Sequence, residues 1–323
     1  MHYCFDIEMF MVPVQRTLIS KIRSPAIPKR KFYLYRLLIK PMTTAVKKKF
    51  IDIEKVINDK NPKLLRVMPG FLVRYVKRIL HQDEINDFID RNGHHTSFDF
   101  VDDIIREFGA KVNIKGLENL PAEGGCIVAS NHPLGGLDGI ALVQSIGKKR
   151  KDLKFIVNDV LMQLKNLEDI FIGVNKHGKN VAQSIEIINN LYRTDLAMMI
   201  FPAGLASRKQ GGAIKDLEWK KTFISRSRQH SRNIIPVYID GHNTNRFYNL
   251  AFWRKKIGIK ANIEMFYLVD EMYKQKGHNI TITFGKPIPY SVFDKRHSDL
   301  EWAQKVKDFI YILKENNDAL FQA

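Results

Sequence analysis

From Val112 onward the chain alternates short apolar runs with stretches of helical periodicity, and this alternation constrains the fold more than any other feature. The runs fall at Cys126–Ser130, Lys154–Asn158, Asp169–Val174, Leu196–Phe201, Ile234–Ile239 and Ile280–Phe284. Each is short and close to continuously apolar, as expected of a strand buried on both faces. Helical patterns fit between several of them; Asn180–Tyr192, for example, sets Val181, Ile185, Ile188 and Leu191 on one face. Strands that alternate with helices form a parallel sheet, because a parallel pair needs a crossover connection. The expected fold is therefore α/β, a central mostly parallel sheet flanked by helices, with an N-terminal helical and basic segment. Ser298–Phe321 reads as a closing helix.

Ahead of this region, residues 50–110 read as helical. Phe71, Leu72, Val76, Ile79 and Leu80 recur at helical spacing with Arg74, Lys77 and Arg78 between them, after a Pro69-Gly70 break. Such a helix lies in a lipid head-group plane, or it packs on the main domain with its cations reaching to water. Asp99 to Phe108 reads as another helix, ended by Gly109. Residues 1–49 read as a basic arm: no Asp or Glu occurs from Met9 to Ile51, and Pro13, Pro25, Pro28 and Pro41 interrupt it. That composition fits a membrane-surface arm, and it equally fits a stretch ahead of a start at Met42. The expected organisation is arm 1–49, helical segment 50–110 and α/β domain 111–323.

The formal net charge of +18 selects anionic partners without choosing among them: nucleic acid, lipid head groups or an acidic protein. No nucleic-acid motif and no aromatic–basic interleaving accompany the charge, so nucleic acid is not an expected partner. No run reaches the ~20 apolar residues of a spanning helix. Asp6 and Glu8 precede only a short apolar stretch, which is no secretory pattern, so any membrane contact is expected to be peripheral. Two cysteines, Cys4 and Cys126, are too few for a disulfide framework or a zinc site, and Cys126 reads as a small core residue.

In an α/β sheet, reactive groups collect at the carboxyl ends of strands. The first predicted strand runs into Asn131-His132 and then Pro133-Leu134-Gly135-Gly136-Leu137-Asp138. A histidine there meets ligand, and an aspartate near the next helix start holds its other ring nitrogen, which fixes the tautomer and stabilises the imidazolium. A pKa near the ordinary ~6.5 suits proton removal from an alcohol. The bland alternative is a loop histidine beside a helix-capping aspartate. Gly135-Gly136 favours chemistry, since glycines allow tight turns and close substrate approach. A second loop carries Asn175-Lys176-His177-Gly178, and a third reads Phe201-Pro202-Ala203-Gly204-Leu205-Ala206-Ser207-Arg208-Lys209. Both offer small residues, amide donors and a cation, suited to an anionic group or to an ordinary strand–helix connection. The glycine pair fits no nucleotide-binding loop, and no Gly-x-Ser-x-Gly elbow occurs. Nucleotide hydrolysis and serine-hydrolase chemistry are thereby disfavoured. His94-His95 lacks a second ligand pair for tetrahedral coordination, so no metal is expected.

Read together, the three loops resemble the glycerophosphate and lysophospholipid acyltransferase family over roughly Val112 to Pro289. The first block of that family is matched by Asn131, His132 and Asp138. Lys176 matches the basic residue of the second, Phe201, Pro202, Gly204 and Ser207 match the third, and Ile235-Pro236-Val237 matches the fourth. The resemblance implies that His132 is the base, that Asp138 orients it, and that Asn131, Asn175, Lys176, Phe201, Pro202, Gly204, Ser207 and Arg208 bind substrate. It implies acyl transfer from an acyl carrier protein or coenzyme A thioester to a lyso-lipid acceptor at an anionic membrane surface, with no cofactor. Two departures matter. Five residues separate His132 from Asp138, one more than the family places there, and Ala203, Leu205 and Ala206 replace polar residues that the family uses for glycerol phosphate. The run Asn-His-Pro-Leu-Gly-Gly-Leu-Asp is similar to a bacterial, hemolysin-like branch that includes O-acyltransferases of ornithine and glycine lipids. The expected acceptor is thus a lyso-aminolipid, with 1-acylglycerol 3-phosphate as the alternative. A non-enzymatic basic membrane- or nucleic-acid-binding protein is the alternative of another class. Lys148, Lys149, Arg150, Lys151 and Lys154 suggest a dock for an acidic carrier protein.

Overall fold

The computed structural model describes residues 50–158, 161–173, 181–260 and 262–322. Among these, the strands are β1 (Lys111–Lys115), β2 (Cys126–Ser130), β3 (Leu153–Val157), β4 (Phe171–Gly173), β5 (Ala197–Ile200), β6 (Arg208–Gln210), β7 (Ala213–Lys215), β8 (Asn233–Asp240) and β9 (Asn279–Phe284). Seven of them form one sheet in the order β1-β9-β8-β2-β5-β3-β4, while β6 and β7 make a small antiparallel hairpin. Every neighbouring pair in the large sheet is parallel except β8–β9. The fold is α/β with a mostly parallel sheet, as the apolar runs predict.

The helices are α1 (Ile53–Lys60), α2 (Pro62–Val67), α3 (Gly70–Ile79), α4 (Gln82–Asn92), α5 (Ser97–Phe108), α6 (Leu137–Gly147), α7 (Val181–Leu191), α8 (Thr222–Gln229), α9 (Asn245–Lys256), α10 (Leu268–Lys274) and α11 (Asp299–Ile312). Strand alternation sorts the central side chains into two cores. Cys126 and Val128 of β2 face α5 and α6, while Ile127 and Ala129 face α8 and α11. All five β2 residues are buried, which explains why its sequence reads as a continuous apolar run. Burial pushes the Cys126 thiol up to about 11, which suits an inert core residue.

Helix ends follow local chemistry. Gly109 ends α5 in the left-handed region at φ 56°. Ser298 and Glu301 form a reciprocal capping box at the start of α11. The predicted closing helix stops earlier than expected, at Ile312; Phe321 folds back against Phe293, Trp302 and Phe309 instead. On α7, Ile188 is buried but Ile185 lies exposed, so the predicted apolar face is only partly covered. Helices α1 to α3 enclose a separate small core of Ile53, Ile57 and Leu64. They join the rest through Ile53 N–H donating to Gln82, Asn86 bonding to residues 50 and 51, and a 2.7 Å contact between the Tyr75 and Tyr267 hydroxyls.

The basic run after α6 behaves differently from the carrier dock suggested by its charge. Arg150 is buried and donates to Asp152 and to the carbonyls of Pro121, Gly124 and Asp195, while Lys149 caps the carbonyls of Leu117 and Glu118. Helix α6 carries the chain from the carboxyl end of β2 back to the amino end of β3, about 16 Å for its 11 residues. These cations therefore hold the opposite edge of the sheet together, away from His132.

Candidate active site

The carboxyl ends of β2, β5 and β8 lie side by side, because β2 pairs in parallel with both neighbours. That topology brings the first and third sequence blocks into contact. His132 follows β2, and its imidazole stacks on Phe201, which follows β5, at 4.1 Å between ring centres. The Ser207 N–H donates to the His132 carbonyl at 2.8 Å.

Asp138 sits in the first turn of α6, completely buried, with Oδ2 2.9 Å from His132 Nδ1. The extra residue between them is accommodated by the loop. Asp138 Oδ2 also accepts the Leu134 N–H at 2.8 Å and the Gly135 N–H at 3.2 Å, so the carboxylate gathers the loop around itself. Oδ1 accepts the Gly139 N–H. Gly135 has φ 87°, and a Cβ there would come within 2.7 Å of Leu268 on α10; one on Gly136 would meet Met272 Sδ at 3.1 Å. The glycine pair thus admits α10 against the loop, so close approach by protein rather than by substrate accounts for it.

Burial opposes both charges of the pair, and mutual attraction overcomes it. Desolvation disfavours the imidazolium, but the charge of Asp138, its hydrogen bond and the nearby Asp216 carboxylate raise the His132 pKa above its ordinary value. Desolvation likewise opposes the Asp138 anion, yet His132 and the loop N–H groups hold its pKa below the usual carboxylate value. Nδ1 is held by Asp138, which leaves Nε2 to exchange a proton with a ligand.

Asp216, absent from the sequence reading, is a second buried carboxylate at the site. Its Oδ1 accepts the His132 N–H at 3.1 Å and the Ser207 hydroxyl at 2.6 Å, and its Oδ2 accepts Trp219 Nε1–H at 2.9 Å. Burial pushes its pKa up against these donors. One signal was available: Asp216 is the first acidic residue after Asp195, in a stretch rich in Arg and Lys.

The other predicted residues take varied places. Asn131 exchanges both hydrogen bonds with the backbone of Ile239, at 2.9 and 2.7 Å, tying β2 to β8. Pro202 accepts the Lys220 N–H, and Gly204 is exposed at φ 67° with its N–H on the Phe201 carbonyl. Arg208 is buried, paired with Glu264 at 3.0 Å and stacked over Phe247 at 4.8 Å. Glu264 also pairs with Arg254 at 2.7 Å, a second buried contact that sequence reasoning missed. Ala206 packs against Phe247 and Tyr248, so the third loop is apolar where Ala203 and Ala206 stand. Asn175 and Lys176 lie outside the described residues. Among the described residues no cluster of His, Cys, Asp or Glu is suited to a metal, and His95 pairs with Asp103 at 2.6 Å.

The acyltransferase family matches residues 55–320, from within α1 to beyond the end of α11. The chain belongs to the acyltransferase family. It is 46% identical over 264 residues to a lyso-glycine lipid O-acyltransferase of Bacteroides thetaiotaomicron, covering 81% of this chain and 97% of that protein. The identity is also 46% over 264 residues with a lyso-glycine lipid O-acyltransferase of Phocaeicola vulgatus, covering 81% of this chain and 95% of that one. Among solved structures, this acyltransferase matches the 1-acyl-sn-glycerophosphate (LPA) acyltransferase PlsC of Thermotoga maritima over 67% of this chain and 80% of that chain, at 16% identity and TM-score 0.40.

Proposed function

We propose that this acyltransferase moves a fatty acyl group from a thioester to the hydroxyl of a lyso-aminolipid, specifically a lyso-glycine lipid. The observation that carries the acyl-transfer mechanism is the His132–Asp138 pair, 2.9 Å apart at the carboxyl end of β2. In the proposed reaction the acceptor hydroxyl attacks the thioester carbonyl while His132 Nε2 takes its proton. Asp138 stabilises the imidazolium that results. The tetrahedral intermediate then collapses, the C–S bond breaks, and the imidazolium protonates the departing thiolate. An ester and a free thiol are the products, and His132 is neutral again.

The acceptor assignment rests on the two relatives and is supported by the third loop. A lyso-glycine lipid carries a carboxylate but no phosphate, and Ala203, Leu205 and Ala206 replace the polar residues expected for glycerol phosphate. The donor in this reading is an acyl carrier protein or coenzyme A thioester. In this reading the work takes place on the cytoplasmic face of the inner membrane, and the cations of α3 and the basic composition before residue 50 attract the chain to anionic lipid. Arg74 and Arg78 are exposed beside Phe71, which is 67% exposed. No helix among the described residues is long and apolar enough to cross a membrane.

The decisive test supplies purified protein with acyl thioester and, in parallel, lyso-glycine lipid and lysophosphatidate, with the products read by mass spectrometry. Diacylated glycine lipid is the expected product, and His132→Ala is expected to lose ~10²–10⁴-fold in turnover while remaining folded. Phosphatidate as the preferred product sinks the acceptor assignment. Near-normal turnover by the His132 variant sinks the mechanism.

A further inference from the structure

Four large apolar side chains stand exposed within the stretch 252–259 at the end of α9. Phe252 and Trp253 are each 55% exposed, Ile257 67% and Ile259 40%. Lys255, Lys256 and Lys260 are exposed among them, and no Asp or Glu occurs from Gly241 to Ile263. The two rings meet edge to face at 5.6 Å, and Lys256 Nζ lies 4.9 Å above the Trp253 ring. The opposite flank of α9 is anchored: Phe247, Tyr248 and Ala251 are buried, and Arg254 turns inward to Asn262 and Glu264. Exposed apolar residues are normally scattered singly; a cluster framed by cations marks an interaction site.

We propose that the end of α9, from Phe252 to Lys260, is a wedge that docks on an anionic lipid surface. Aromatic and branched aliphatic side chains match the boundary between head groups and acyl chains, and the lysines match anionic head groups just above it. A second copy of the chain fits poorly, because identical patches bring lysine against lysine without a carboxylate. An acidic protein answers the lysines but leaves the depth of Trp253, Phe252 and Ile257 unused. The placement fits the edge that bears His132. Helix α9 leaves from the carboxyl end of β8, Asn243 Nδ2 donates to the Pro133 carbonyl at 3.3 Å, and a Cβ on Gly241 would meet Leu134 at 3.0 Å. Docking through this wedge sets the catalytic edge against the bilayer that holds a lyso-lipid. That consequence rests on the proposed function; the docking itself does not.

Trp253 reports on the proposal directly, since Trp219 and Trp302 are both 0% exposed. The full chain is titrated with vesicles of phosphatidylcholine alone and of equal parts phosphatidylcholine and phosphatidylglycerol, and tryptophan emission is followed. A blue shift on the anionic vesicles is expected, quenched by lipids brominated in the acyl chain and abolished by Trp253→Phe. The pair Lys255→Glu and Lys256→Glu is expected to weaken partition on the order of tenfold or more. Three results overturn the proposal: flotation with vesicles without any change in Trp253 emission, a shift that follows protein concentration without lipid, or a shift produced by acyl carrier protein but not by vesicles. Acyl transfer to detergent-dispersed acceptor is measured alongside. The Lys255 and Lys256 variants are expected to retain it, and its absence in the native chain counts against the proposed function while leaving the docking result intact.

Discussion

His132 is tuned by two carboxylates with different tasks. Asp138 faces its ring, and Asp216 faces its backbone N–H. As the proposed general base, His132 must be neutral to act, and, against the desolvation that opposes it, the charge and hydrogen bond of Asp138 raise its pKa above the ordinary 6.5. The acid limb of kcat/KM is therefore expected above pH 6.5, with activity lost as pH falls through the raised value. Asp138→Asn removes the charge and leaves burial to favour the neutral ring, so the limb is expected to move to lower pH while kcat itself falls. An unmoved limb in that variant would exclude His132 as the titrating base. Linkage has the opposite sense: the imidazolium's contribution to stability is complete below the free pKa and fades as pH rises through the folded one. Asp216 makes a separate prediction. Asp216→Ala strands the Trp219 indole N–H and the His132 N–H and leaves the Ser207 hydroxyl only its 3.3 Å contact with the His132 carbonyl, so a loss of about 3 kcal/mol is expected in denaturant unfolding. Ser207→Ala removes a donor but leaves the carboxylate two others, and a smaller loss is expected. Equal losses would show that the Asp216 bridge is not what holds these loops.

At the level of elements, the loop from His132 to Asp138 is held by how closely α10 approaches it. Gly135→Ala combines a φ of 87° with a 2.7 Å collision against Leu268. The expected cost is about 1–3 kcal/mol, with reduced turnover because Asp138 and the loop move together. Adding Leu268→Ala relieves the collision but not the backbone strain, so the double variant should lose less than the sum of the single losses. Strict additivity would mean that α10 does not set the loop. This contact also marks how far sequence reasoning reaches. Strands β2, β5 and β8 were readable because burial on both faces makes them apolar throughout. Edge strand β1 was not: Lys111, Asn113 and Lys115 break its pattern, while Val112 and Ile114 alone face inward. The β6–β7 hairpin is largely polar and exposed, so it carries no burial signal. His132 and Asp138 were visible because they sit in one loop. Asp216 and Glu264 act across the fold, on partners 84 and 56 residues away, and no local spacing encodes such contacts.

Across the whole molecule, stability is expected to be uneven, and the unevenness follows the site. The central strands are covered on both faces by two cores, whereas α1 to α3 have a small core of Ile53, Ile57 and Leu64, with Val73 and Ile79 also buried on α3. Their polar ties to the rest include Gln82, Asn86, the Tyr75–Tyr267 hydroxyl pair, and His81, which also stacks on Tyr273 and meets Asp270 at 3.2 Å. Few buried apolar contacts and part-exposed hydrogen bonds place a segment at the low end of local opening free energies. Native-state hydrogen exchange is therefore expected to begin in α1–α3, with β2, β5 and β8 exchanging last. The Tyr75–Tyr267 contact joins α3 to the turn that precedes α10, and α10 covers the glycine pair beside Asp138. Tyr75→Phe breaks that contact while leaving the apolar ring, so faster exchange is expected in α3 with little change in the central strands. Unchanged exchange in α3 would mean that its apolar contacts alone hold it. Equal acceleration in β2 would mean that the helical segment and the sheet open as one unit, and the edge that bears His132 would then be no more rigid than the helices beside it.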